Sequence, residues 1–178
     1  MARKFTGSFT QQEGLSQDAI AAAVAVLESG RLHRYNLAPG EAGEVAQLEA
    51  EYRDWQGSSC CLAVTSGGQA LQIALRACDV ASGDKVLTNA YTLAPVPGAI
   101  RAVGAETVLV EIDEDLRLDL DDLDAKIASS GARVLLLSHM RGHLCDMDRL
   151  MAICDAAEVT VIEDCAHTMG ARWNGIRS

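Results

Sequence analysis

RVLLLSHMRGHLCDMDRLMAICDAAEVTVIED, Arg133 to Asp164, is the stretch on which the reading of the fold turns. RVLLLS (133–138) and VTVIE (159–163) are apolar runs of strand length. Between them Met147, Leu150, Met151 and Cys154 recur at helical spacing, which predicts an inward-facing stripe on a helix over 147–157. Asp146 stands where an N-cap belongs. Neither strand alternates apolar with polar residues, so both faces should be buried. That is the mark of a parallel strand in a sheet covered by helices on both sides.

The same texture extends toward the N-terminus. CCLAV (60–64), KVLT (85–88) and TVLVEI (107–112) read as further strands. Helices are expected from Gly68 to Cys78, Val96 to Val103 and Leu120 to Ala128, the last capped by Asp119 with Leu120, Leu123 and Ile127 inward. The fold class is therefore α/β, a mainly parallel sheet flanked by helices. Before residue 58 the pattern is helical only. Gln17 to Ser29 carries Ile20, Val24 and Leu27 and stops at Gly30; Glu44 to Trp55 carries Val45, Leu48, Tyr52 and Trp55 and ends before Gly57. The polar stretch RLHRYNLAPGEAG lies between them. Residues 1–57 are thus an arm with helices, and 58–178 the α/β domain.

The bulk properties narrow the function. Over 178 residues, aromatics are 4%, so the core must be aliphatic. The net charge of −10 leaves no basic stripe to neutralise phosphates, which argues against nucleic acid. The basic residues of MARKFTGSFTQQEG precede no apolar run, unlike a secretory signal. Ala19–Leu27, the longest apolar run, falls far short of the ~20 residues that cross a bilayer. A cytoplasmic protein without a membrane partner is expected. Six cysteines with no CxxC pair are expected to be reduced and mostly buried.

In such sheets ligands bind beyond the carboxyl ends of the strands. VTSGGQAL (64–71) reads as strand, glycine turn and helix start, where free N–H groups and the positive helix end suit a phosphate. A plain strand-to-helix turn is the alternative. The segment is neither GxGxxG nor a P-loop, so it does not point to NAD or ATP. VIEDCAH (161–167) places Asp164 at a strand end with no local cation before Arg172. A buried carboxylate needs a cationic partner. A protonated pyridine nitrogen is one such partner; a solvated acidic cap is the alternative. Glu163 alternates to the other face.

Together these segments resemble the StrS/DegT family of sugar aminotransferases, which depend on pyridoxal 5'-phosphate (PLP). SGGQAL is similar to the family's SGTAAL. NAYTLAPVPGAIRAVGAETVLVEID is similar to PAYTFVATANAILLVGAKPVFVDID, and VIEDCAHTMGA to VIEDAAQAHGA. The resemblance implies the large domain of the type I aminotransferase fold, here incomplete. It implies that Gly68 and Gln69 hold the PLP phosphate, that Asp164 faces the ring nitrogen, that His167 lies beside the ring, and that Leu93 takes the place of a stacking aromatic. Gly68 for Thr removes a hydroxyl donor, and Leu93 replaces stacking by aliphatic contact; each change weakens binding by about 1 kcal/mol.

In the family the Schiff-base lysine follows the WNGIRS-like segment. The three lysines present, Lys4, Lys85 and Lys126, do not match it. The resemblance thus implies the N-terminal part of a longer enzyme, inactive alone. Its implied reaction moves an amino group from an amino acid donor to a ketone, by family default a nucleotide-linked keto-sugar. The implied assembly is a homodimer, with RLHRYNLAPG either reaching the neighbouring subunit or forming a surface loop. A non-catalytic relative and a dehydratase with His for the lysine are the alternatives. His139, His143, Cys145, Cys165 and His167 are metal-ligating types, but their spacing fits no standard site, so no metal is expected and His139 reads as structural.

Overall fold

The structure is a computed structural model that describes residues 7, 13–35 and 37–177. Residues 1–6 and 8–12, Lys4 among them, Asn36 of the polar stretch and Ser178 lie outside the described residues. The chain forms two compact units, Met1–Leu48 and Glu49–Ser178.

In the first unit, α1 (Gln17–Ser29) starts at Ser16, whose hydroxyl accepts from the Ala19 N–H, and stops at Gly30 with φ of 68°. Ile20, Val24 and Leu27 do share a face, but they remain 42%, 44% and 64% exposed, so this stripe is not core here. The helix α2 (Glu44–Gln56) runs from this unit into the second and ends before Gly57.

The second unit contains a four-stranded parallel sheet. Its strands are β1 (Lys85–Asn89), β2 (Glu106–Val110), β3 (Val134–Ser138) and β4 (Thr160–Asp164), in the order β2-β1-β3-β4. The helices are α3 (Gly67–Ala77), α4 (Pro95–Ala102), α5 (Leu120–Ser130) and α6 (Met147–Ala156). The pleat assigns the two faces. Leu135 and Leu137 point into one cluster with Leu123 of α5 and with Leu150 and Cys154 of α6. Val134 and Leu136 point into the other with Leu71 and Leu75 of α3 and Ile100 of α4. This is the expected α/β class. Asp119 and Asp146 cap α5 and α6 as anticipated, accepting from the N–H groups of Asp122 and Arg149.

Four further expectations need correction. Residues 60–64 are not a strand: no other strand pairs with them among the described residues, and Leu62 is 59% exposed. An apolar run becomes a strand only where a neighbour supplies hydrogen bonds. The 107–112 run leaves the sheet after Val110, and Ile112 instead bridges Leu118 antiparallel. Met151 is not core. It lines an open groove of about 450 Å³ with Trp173 and Ile176. The cysteines are all free thiols, but only Cys145 and Cys154 are buried, and Cys60 is exposed. Burial pushes the Cys145 and Cys154 thiols up to about 11.

A feature absent from the sequence reading is the hairpin β5 (Arg172–Trp173) and β6 (Ile176–Arg177). Asn174 and Gly175 turn it with φ of 49° and 86°, the left-handed pair of a tight type I′ turn. Arg177 lies 4.4 Å from the Trp55 ring centroid, a cation–π contact, and donates to the Trp55 carbonyl.

Candidate functional site

Parallel strands bring their carboxyl ends to one edge of the sheet. Here β1, β3 and β4 end in Asn89, Ser138 and Asp164, which are polar residues after apolar runs. Ser138 and Asp164 are register partners. The Ser138 hydroxyl donates to Asp164 Oδ2 at 3.3 Å, and the Ala166 N–H donates to Oδ1 at 3.3 Å. The Asp164 carboxylate is half-buried with a donor on each oxygen. Asn89, which is 2% exposed, accepts from the Ser138 N–H at 2.9 Å and donates to the Ser138 carbonyl at 3.1 Å and the Tyr91 carbonyl at 2.7 Å. The sequence reading passed over both Asn89 and Ser138. The available signal was a polar residue closing each apolar run.

Glu163 and His139 form a pair beside Asp164. His139 is 1% exposed, and its Nε2 lies 2.7 Å from Glu163 Oε2. A carboxylate only accepts, so Nε2–H is the donor of this contact. His139 is thus a buried ring at the end of β3 with Glu163 as its partner. Of the metal-ligating types, His139 and Cys165 do come together, with Glu163, their ligand atoms within 4.8 Å of one another; His143, Cys145 and His167 are not in that group. The His139–Glu163 hydrogen bond accounts for two of the three.

His167 is exposed, and its Nδ1 accepts from the Arg141 N–H at 3.1 Å. Arg141 belongs to the short 3₁₀ turn Met140–Gly142 after β3. Gly142 has φ of 81°, and a Cβ there would meet the His167 carbonyl oxygen at 3.3 Å. Glycine is therefore required for this turn to lie against the segment after β4.

The glycine turn opens α3. Ser66 is its N-cap and accepts from the Gln69 N–H at 3.2 Å. The Ala70 N–H bonds to the Ser66 carbonyl. Among the described residues the N–H groups of Gly67 and Gly68, the first donors of the helix, have no acceptor. A Cβ at either glycine would meet nothing within 4 Å among the described residues, so open space lies at the positive helix end. The Gln69 side chain is folded back, accepting from the Thr65 hydroxyl and, at 3.4 Å, from the Thr65 N–H. The Gln69 N–H is thus held by Ser66 and its carboxamide oxygen by Thr65. Leu93 is 50% exposed just before α4, and its carbonyl accepts from the Val96 N–H at 3.0 Å. Lys85 stands at the opposite end of β1 from Asn89, about 13 Å away at the rise of a strand.

Such an arrangement has two chemical capacities. A helix N-terminus with open donors binds an anion. A half-buried, doubly held carboxylate presents its remaining lone pairs to a cation.

The chain is similar to several known proteins. A transaminase of Streptomyces venezuelae, dTDP-3-amino-3,4,6-trideoxy-alpha-D-glucose transaminase, is 37% identical over 93% of this chain and 42% of its own length. The UDP-2-acetamido-2-deoxy-3-oxo-D-glucuronate aminotransferase of Pseudomonas aeruginosa is 33% identical over 94% of this chain and 45% of its own. The solved structure of S. venezuelae DesV in complex with a ketimine intermediate superposes with a TM-score of 0.80 at 35% identity, over 90% of this chain and 42% of that one. The chain thus spans less than half the length of these relatives. Residues 14–178 match the DegT/DnrJ/EryC1/StrS aminotransferase family, and the chain belongs to it.

Proposed function

We propose that this chain is the N-terminal part of a PLP-dependent aminotransferase that moves an amino group from an amino acid to a keto-sugar carried on a nucleotide. The observation that carries the reading is Asp164: a carboxylate at the end of β4, half-buried, with a donor on each oxygen and no cation paired to it among the described residues. The dTDP- and UDP-sugar names of its relatives support a nucleotide-linked acceptor.

The residues present fit the cofactor. The open N–H groups of Gly67 and Gly68, with the positive end of α3, suit its phosphate. Asp164 suits its protonated ring nitrogen, Leu93 offers apolar contact to the ring, and His167 lies on the segment that follows Asp164. When bound, PLP supplies an electron sink for the amino-bearing carbon. The chain's own contribution is to bind the phosphate, to hold a negative charge opposite the ring nitrogen, and to orient both. The proposal assigns residues 1–57 to an arm with helices and 58–178 to the cofactor-binding domain. It places the Schiff-base lysine, and two strands adjoining β4, in a segment following residue 178. It takes the complete enzyme to be a cytoplasmic homodimer.

The test is PLP binding and amino transfer from glutamate or glutamine to a dTDP- or UDP-keto-sugar by the complete protein. Residues 1–178 alone should transfer nothing. Turnover by that fragment, or a complete protein that ignores PLP, contradicts the proposal.

A further inference from the structure

We propose that Ser138, itself held by Asn89, is the positioning residue for the Asp164 carboxylate. This inference rests on the cofactor reading above and deepens it by naming how the carboxylate is aimed.

The argument begins with the ladder between β1 and β3. Its register runs through Val86–Val134, Leu87–Leu135 and Thr88–Leu136 and then stops. One residue further on, the Asn89 side chain replaces the ladder. Its Oδ1 accepts from the Ser138 N–H, and its Nδ2 donates to the Ser138 carbonyl. A third bond, to the Tyr91 carbonyl, fixes the carboxamide itself. Both residues are buried, at 2% and 7% exposure, where polar groups must find partners. With its N–H and carbonyl both held, Ser138 has its Cβ direction set, and its hydroxyl reaches Asp164 Oδ2 at 3.3 Å. The Ala166 N–H holds the other oxygen. Two of the roughly four lone-pair sites of the carboxylate are thus directed, and rotation about its Cβ–Cγ bond is restricted. At 3.3 Å the hydroxyl contact is long for O–H···O, so it guides the carboxylate and does not clamp it.

The experiment uses the complete protein and reads its PLP dissociation constant by absorbance, with the melting temperature of the cofactor-free form as control. Ser138→Ala should weaken PLP binding about three- to tenfold, the loss of one hydrogen bond, while leaving the cofactor-free melting temperature nearly unchanged. Ser138→Thr, which keeps the hydroxyl, should restore affinity to within about twofold of the original. In an Asp164→Asn background Ser138→Ala should have no further effect, because the hydroxyl acts through the carboxylate. Unchanged affinity in Ser138→Ala, or an equal loss in both backgrounds, overturns the inference. If the unaltered protein does not bind PLP, the cofactor reading fails, and the positioning claim is decided separately. In the cofactor-free protein the ¹³Cγ resonance of Asp164 should then move in both Ser138→Ala and Asn89→Ala. A resonance that stays in place overturns the claim without reference to the cofactor.

Discussion

The strand β3, VLLLS, and residues 60–64, CCLAV, have the same length and nearly the same apolar content, but only one is a strand. All five residues of β3 are buried, between β1 on one side and β4 on the other. The 60–64 segment has no strand beside it among the described residues; the Glu49 carboxylate takes the Ala63 N–H at 2.8 Å instead. Apolar content makes a segment want burial, but only a neighbouring backbone makes it a strand.

The comparison breaks most visibly in the core. Leu135→Ala should destabilise the second unit by about 2–5 kcal/mol, since it opens a cavity between β3, α5 and α6. Leu62→Ala should stay within about 0.5 kcal/mol in the same 178-residue chain. Urea unfolding of the two variants measures the difference; equal losses would mean that 60–64 is packed after all. Asn89→Ala comes next, at about 1–3 kcal/mol, because it strands the Ser138 N–H in a buried position. The same urea series reads it, and an unchanged midpoint would show that water replaces the bridge.

Smaller effects sharpen the picture. Asp146→Ala removes the α6 cap and should cost about 1 kcal/mol in that series. The buried thiols give a pH signature. Cys145 and Cys154 rise from 9 to about 11 by burial, so the folded state favours the protonated thiol. Their contribution is complete below pH 9 and is lost as pH rises from 9 through 11. Cys145→Ala and Cys154→Ala together should flatten the fall in stability over that window; an unaltered slope would assign it to other groups. Under native conditions at pH 8, exposed Cys60 should react with a maleimide well before either buried thiol, as mass mapping would report.

Much of this architecture was legible in the sequence because each local signal agreed with the packing. Helix caps at Asp119 and Asp146 and the runs at 85–88 and 133–138 needed no knowledge of their surroundings beyond burial. The stripe Ile20, Val24 and Leu27 and the segment 60–64 failed for one shared reason. Periodicity reports a face that would be buried, not whether a partner surface is present. The hairpin at Asn174-Gly175 was readable from its turn pair and was overlooked, since its two-residue strands are too short to show alternation. At the site, Asp164 stood out as a charge at an apolar strand end. Asn89 and Ser138 did not, because their role depends on a bond between residues 49 positions apart.

The account depends on the negative charge at position 164. The most direct measurement is a PLP absorbance titration of the complete protein beside its Asp164→Asn variant, which keeps the shape and removes the charge. The account predicts saturable binding by the original protein and at least about tenfold weaker binding by the variant, the worth of a charge-assisted contact. Equal affinity in the two proteins would contradict it.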